Sequence, residues 1–488
     1  MTTLEPRQQS SSDSPVEVLG EIREGEYGDR VVRVEPGGAE FVPLRDRHGS
    51  PIHLLWTWMS PNLEFATIFL GVLSVAAFGL TFWQAVLAII IGNGLGALSH
   101  AVLSARGPDF GVPQMILSRV PFGFLGNLLP AGLNVVTAGV GWFAVNSVSG
   151  ALALTALTDL PAAASLVIVV LTEVVIGFFG HNLISAWERF LLPLLALVFL
   201  IVSVIILTKA SPSAAVGGGG IGGFMLTVGT VFGYSAGWNP YATDYTRYLK
   251  PGTGRAAGIF AGLGIFIACV ALEVVGAASV TISGGGLAGN PTVAFTDTLP
   301  SALVGVTLLA ITIGAVCANV INIYSGTMSF LALGIRLPLT LRRAIVAIIF
   351  GVIGGIVAYY GLDDAGVKYE SFLLIISYWV APWLGVYLAD MVLRRGIRVD
   401  GFLFDRKHNP LAGPVAMLIG MVVSVWLFSN QSLYVGLLAE KFPSVGDITF
   451  IVGFVLSAVI YAVLFTVAGD KRSAIMVLPD EAGQVAER

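Results

Sequence analysis

The run LLWTWMSPNLEFATIFLGVLSVAAFG, residues 54–79, is long and apolar enough to cross a bilayer, yet Ser60-Pro61-Asn62 interrupts it. A helix crossing hydrocarbon needs about 20 mostly apolar residues. Proline inside it removes a backbone donor and strands a carbonyl that lipid cannot satisfy, so such a break is tolerated only against protein or a wet cavity. A second interrupted run lies at 221–241, where Gly237-Trp238-Asn239-Pro240 falls near the end. Pro61 and Pro240 are 179 residues apart, and Pro113 and Pro291, after the second and seventh runs, are 178 apart. Trp142 and Asn146 in the third run sit at a similar offset from Asn319 and Asn322 in the eighth. With five runs in each copy, an odd number, the second copy enters the membrane from the opposite side. This inverted repeat places a binding site at the midplane, between runs one and six and runs three and eight.

Working outward, the same kind of apolar run recurs. Twelve are expected, at about 54–79, 82–104, 126–153, 162–180, 188–208, 221–241, 256–282, 302–331, 341–361, 370–393, 412–430 and 446–468. The 488 residues are 56% hydrophobic and 11% charged, with a mean hydropathy of +0.85; a soluble domain carries roughly 25% charge. The 59 glycines suit close helix contacts in lipid. One set of alternate loops holds fourteen lysines and arginines, from Arg106 to Lys407, whereas the other holds only Lys209, Lys368 and Lys441. Cytoplasmic loops retain positive charge, so both termini are expected in the cytoplasm and the protein in the plasma (inner) membrane. The expected organisation is a tail (1–50), helices 1–5 (51–210), helices 6–10 (211–398), helices 11–12 (399–470) and a second tail (471–488). The polar start lacks an apolar signal-peptide core, and the serine-rich stretch Gln8–Pro15 reads as a solvated tail.

Several chemistries are excluded. Cys269 and Cys317 lie in apolar runs and support neither a disulfide framework nor a metal cluster. The glycine run Gly217–Gly220 lacks the lysine and hydroxyl of a phosphate loop, and neither HExxH nor paired CxxC occurs; that run reads as a flexible extracellular link. Basic residues are scattered, leaving no nucleic-acid footprint. A channel would show a charged ring or repeated pore motif, and a sensor would need a soluble output domain.

What remains is a set of polar and aromatic residues at membrane depth. Trp142 and Asn146, four apart, share a helix face, pairing a flat aromatic surface with an amide that both donates and accepts. That combination suits a planar heterocycle. Trp238 could close the opposite face of a stacked ring, while Asn319 and Asn322 could read its edge. Ser60 and Asn62 lie where unwound backbone meets substrate or ion, with Asn62 also placed to cap the second half-helix. Glu64, Glu173 and Glu273 are ionisable groups deep within runs, functional suspects by position. A buried carboxyl can exchange a proton near neutral pH. Asp244 and Arg247 are expected to form a structural or gating pair.

Four segments resemble the purine-cytosine permease branch of the nucleobase-cation symporter family. These are Val34-Glu35-Pro36 through Arg47-His48-Gly49-Ser50-Pro51, Gly107-Pro108 to Gly111-Val112-Pro113-Gln114-Met115, Ser118-Arg119-Val120-Pro121-Phe122-Gly123, and Trp238-Asn239-Pro240-Tyr241-Ala242-Thr243-Asp244-Tyr245-Thr246-Arg247-Tyr248-Leu249. The resemblance covers about residues 34–400. It implies an all-α membrane protein of twelve helices, a LeuT-type 5+5 inverted repeat plus two C-terminal helices, working by alternating access. It places Trp142, Asn146, Trp238 and Asn322 at the positions that sandwich and read the base. Sodium-coupled members carry two hydroxyl side chains five and six residues before the helix-eight asparagine. Here these are Cys317 and Val316, or Gly314 and Ile313 if Asn319 is the counterpart, and none is a hard oxygen ligand. The expectation is therefore proton-coupled import of cytosine or purines, without cofactor, metal, nucleic-acid or obligatory protein partner, in contact only with lipid and substrate. Carriage of hydantoin, allantoin, uracil or a thiamine-like heterocycle is the alternative.

Overall fold

The computed structural model describes residues 38–179, 181–214, 217–283, 289–335, 342–469 and 472–475. Gln8–Pro15, Val34–Pro36 and most of both tails lie outside these. The helices that frame the site and its surroundings are α1 (His53–Met59), α2 (Phe65–Ala76), α3 (Phe82–Ser104), α4 (Leu128–Val136), α5 (Phe143–Thr158), α6 (Ala162–Phe179) and α7 (His181–Lys209), then α8 (Gly220–Ala236), α9 (Ala242–Thr246), α10 (Gly254–Ser283), α11 (Ser301–Ala332), α12 (Arg342–Gly361), α13 (Ala365–Leu393), α14 (Ala412–Phe428) and α15 (Thr449–Ala468). A two-residue antiparallel pair, Asn430–Gln431 with Tyr434–Val435, follows α14. Among the described residues, seven helices are long and apolar enough to cross a membrane, or eight if the bent pair His53–Asn62 and Phe65–Ala76 is one span. Shorter apolar helices occupy Ala162–Ile176, Ile345–Gly361 and Ala412–Phe428.

Helix covers most of every expected apolar run, and the differences have local causes. The tenth run starts earlier, at Ala365, after Asp364 in left-handed conformation. The twelfth starts later, at Thr449, because Gly446 turns the chain at φ 72°. The sixth ends as regular helix at Ala236, before the Asn239–Tyr241 turn.

Lipid-like surroundings give no hydrophobic force between helices, so packing rests on close approach of backbones. Gly71 of α2 and Gly276 of α10 show this reciprocally: a Cβ on either would sit 1.8 Å from a backbone oxygen of the facing helix, Glu273 or Ile68. The run Gly217–Gly220 departs from the expected flexible link for the same physical reason. Gly219 donates to Gly79 O at 3.0 Å, and a Cβ there would meet Phe78 O at 1.8 Å, so part of the expected flexible link is a tight seam. In α11 every residue from Gly314 to Ser329 is buried, making it the axis around which the polar groups gather. Outward, α15 presents Val455, Val459, Val463 and Val467, one exposed stripe at four-residue spacing and a surface suited to acyl chains.

Candidate functional site

Two broken helices frame the site. Between α1 and α2 the backbone bends 61° at the 3-10 turn Ser60–Asn62, and α8 runs into the 3-10 turn Asn239–Tyr241 before α9; proline is the middle residue of both turns. The breaks face each other, because Trp238 Nε1 donates to Asn62 Oδ1 at 3.0 Å. Asn62 in turn donates back to Trp58 O at 2.7 Å, satisfying a carbonyl near the break. Ser60 Oγ turns to Thr57 O at 3.1 Å.

The third segment passes beside these breaks through a π turn, Thr137–Trp142, that inserts an extra residue per turn and rotates Trp142 inward. Trp142 and Trp238 are nearly parallel, 9° apart in plane, with centroids separated by 6.2 Å. Tyr234 and Phe372 close the edges of Trp142 at 5.2 Å, each close to perpendicular. The aromatic pair expected from sequence is thus face to face, walled by two rings that sequence reasoning did not single out.

A ladder of amides continues from this box. Asn319 donates to Phe143 O (2.9 Å) and Ser147 Oγ (3.2 Å), and its oxygen accepts from Asn146 (3.0 Å) and Asn322 (3.4 Å). Asn319 is therefore committed to protein on all sides. In the amide orientations this network selects, Asn146 Oδ1, Asn322 Oδ1 and Trp142 Nε1 are buried without a protein partner. A buried, unpaired polar atom costs about 1–3 kcal/mol, so a ligand supplying complementary donors and acceptors recovers that energy. Ser147 also donates to Glu173 Oε2 at 2.7 Å, wiring that carboxyl into the ladder.

Glu64 stands just past the first break in extended backbone (φ −145°, ψ 170°), as the residue that starts α2. Tyr234 OH donates to its Oε1 at 3.2 Å, and Oε2 has no protein partner. Leu63 O lies 2.9 Å from where a Cβ on Gly314 would be, so α11 presents a bare glycine to the break. Glu273 is elsewhere, taking a hydrogen bond from Asn93 (2.8 Å) between α10 and α3. The structure thus brings together Trp142, Trp238, Asn62, Asn146, Asn319 and Asn322, joins Glu64 and Glu173 through single side chains, and leaves Ser60 and Glu273 in separate contacts. Tyr234 lies four residues before Trp238, a spacing that could have flagged it; Ser147 and Phe372 carry no such signal.

A cavity of 280 Å³ lined by Phe65, Phe69, Gly141, Val145, Tyr369 and Phe372 descends toward this site. It shares Phe69, Leu152, Pro291 and Ala365 with a wider 560 Å³ cavity among Asn290, Asp363, Asp364 and Glu370. Phe372 ends the descent: its ring would lie 2.0 Å from a Cβ on Gly141 and rests edge-on to Trp142.

Comparison with known proteins follows the same lines. Residues 41–453 match the family described as permeases for cytosine/purines, uracil, thiamine and allantoin. The protein YxlA of Bacillus subtilis (strain 168) is 28% identical over 91% of this chain and 98% of its own. The purine-cytosine permease fcyB of Emericella nidulans is 26% identical, with 89% and 88% covered. Mhp1, a nucleobase-cation-symport-1 family transporter solved in a closed conformation with bromovinylhydantoin bound, superposes with a TM-score of 0.70 at 17% identity, over 93% of this chain and 99% of that one. That likeness carries the fold.

Proposed function

Because the chain belongs to the family of permeases for cytosine/purines, uracil, thiamine and allantoin, not to an enzyme family, we propose that it imports nucleobases, cytosine and/or purines, as a proton-coupled secondary transporter working by alternating access. The observation that carries the reading is the parallel pair Trp142 and Trp238, set beside buried amide oxygens of Asn146 and Asn322 that have no protein partner. Two aromatic faces hold a planar ring by stacking, and amide edges select its donor and acceptor pattern. Phe372 is the side chain that moves to admit substrate from the 280 Å³ cavity.

The matched turns at Pro61 and Pro240, and the short helices Gln114–Leu117 after Pro113 and Pro291–Thr296 at its counterpart, support twelve spans in a 5+5 inverted repeat with two further helices. In this reading residues 51–210 and 211–398 are the two copies, 399–470 hold helices 11 and 12, and both tails are cytoplasmic at the plasma membrane. Coupling is by protons. Gly314, Val316 and Cys317 offer no hydroxyl oxygen to a sodium ion, whereas Glu64 brings a carboxyl to the same break. Glu173 is a second proton candidate through Ser147, and Glu273 a third, more distant one. The hydantoin bound to Mhp1 favours a second reading, a carrier of hydantoin-like heterocycles such as allantoin or uracil, in the same box.

Uptake of labelled cytosine in cells lacking their own carriers, with unlabelled bases as competitors, decides between these. The first reading requires accumulation that purines compete with, that rises from pH 7.5 to 5.5, ignores sodium and collapses with a protonophore. Absence of cytosine and purine uptake, with uptake of hydantoin or allantoin, establishes the second.

A further inference from the structure

The helix α13 runs about 40 Å at 1.5 Å per residue, and at its end opposite Phe372 a separate cavity of 140 Å³ opens among Arg106, Tyr387, Asp390, Arg394 and Arg395. Among the described residues, three guanidinium groups share this space with one carboxylate, and that carboxylate is already engaged: Arg394 Nε donates to Asp390 Oδ1 at 2.9 Å, and Tyr461 OH donates to the same oxygen, while Arg394 Nη1 reaches Arg472 O at 3.4 Å. Arg394 lies over the Phe465 ring at 4.8 Å and Arg106 over Phe110 at 4.7 Å, contacts that hold both planes in place. Arg106 Nε is buried and has no protein partner. Arg395 is exposed at the mouth, and Val392, one turn earlier, is 73% exposed, so apolar surface adjoins the charge. None of these residues belongs to the aromatic box or the amide ladder.

Among the described residues, the lining of this small cavity carries two more positive charges than negative ones, a field that attracts an anion. Guanidinium forks match phosphate oxygens in pairs, and basic pockets between membrane helices recognise phosphorylated head groups. We propose that this cavity is a binding site for a phosphate-bearing anion, held by Arg106, Arg394 and Arg395, which braces the segment after α3 against the end of α13. The phosphate comes from an anionic phospholipid head group or from a soluble phosphate, and the two sources separate experimentally.

Purified full-length protein is placed in nanodiscs of phosphatidylcholine, alone or with one-fifth phosphatidylglycerol, and retained lipid is counted by native mass spectrometry. Thermal unfolding is followed in the phosphatidylcholine discs with and without millimolar inorganic phosphate. Each basic residue near the surface is worth roughly fivefold in binding, so the Arg106→Gln, Arg395→Gln double variant loses about 25-fold. Either single variant, expected about fivefold weaker, keeps the test decisive if the double variant does not fold. Phosphatidylglycerol retained by the unmodified protein and lost by the variants identifies a lipid site. Protection by inorganic phosphate, lost in the variants, identifies a soluble ligand. Retention and protection that are absent from the unmodified protein, or equal in the variants, overturn the proposal.

Discussion

At the first break Ser60-Pro61-Asn62 forms a 3-10 turn, and at the second Asn239-Pro240-Tyr241 forms the same turn with proline in the same place. Their surroundings differ. Beyond the first turn, Glu64 starts α2 with one carboxyl oxygen unpartnered, and Asn62 reaches across to Trp238. At and beyond the second, the side chains turn to α3, to the segment Val112–Gln114 and to the segment before α1. Asn239 donates to Ser99 (2.7 Å), Thr243 to Val112 O (2.8 Å) and Arg247 to Gly38 O (2.7 Å), while Asp244 accepts from the Gln114 N–H (3.1 Å). Asp244 and Arg247, expected as a structural or gating pair, instead direct these hydrogen bonds to separate segments, and Asp244 Oδ2 accepts none. Nearby, Arg47 donates to Val42 O at 2.9 Å and to Pro108 O; burial lowers its pKa to about 10, against the pull of Asp109, so it stays cationic at neutral pH. One interruption of the backbone is therefore set in two surroundings: the first break places its carboxyl, Glu64, against Tyr234 beside the aromatic pair, and the second supplies the aromatic face of Trp238 and ties its own carboxyl, Asp244, to the Gln114 backbone.

Substitutions at the two breaks are expected to have different effects. The largest effect is expected between the breaks, where Asn322→Ala lowers uptake about 100-fold while membrane insertion is unchanged, since removing a partner leaves polar groups of the substrate unpaired in a dry site. Normal uptake by that variant would move the edge-reading role away from α11. Next, Glu64→Gln removes the rise in uptake between pH 7.5 and 5.5, leaving equilibration without accumulation. Asp244→Asn slows transport but keeps the pH profile, and the reverse outcome for these two variants would exchange the roles of the breaks. Asn62→Ala cuts the tie between breaks and costs about 1–3 kcal/mol of stability, measured by thermal unfolding in detergent. Ser60→Ala, whose hydroxyl serves only a local helix carbonyl, changes stability by less than about 0.5 kcal/mol and leaves uptake within twofold.

The breaks were legible because proline inside a lipid-crossing run is costly wherever the chain cannot compensate, so Pro61 and Pro240 announce both geometry and location. Trp142 and Asn146 were legible from four-residue spacing, although the π turn ending at Trp142 leaves no sequence mark. The division of labour between Asn319 and Asn322 was not. Three residues apart on one face, they look equivalent until the neighbouring helix is placed, and then Phe143 O and Ser147 saturate only Asn319. The link from Glu173 to the site was hidden for the same reason, since it passes through Ser147 on another helix. The glycine run before α8 read as slack because composition reports freedom in the chain, whereas the seam at Phe78 is a property of the folded pair.

In the proposed reading, Trp142 and Trp238 clasp a planar base between parallel faces. Equilibrium binding of labelled cytosine and of purines to the purified protein tests it directly, alongside Trp142→Ala and Trp238→Ala variants that remain monodisperse. Stacking on an aromatic side chain is worth about 1–3 kcal/mol per base, so each variant is expected to bind about 10- to 100-fold more weakly than the unmodified protein. Binding of undiminished affinity in both variants would contradict the account.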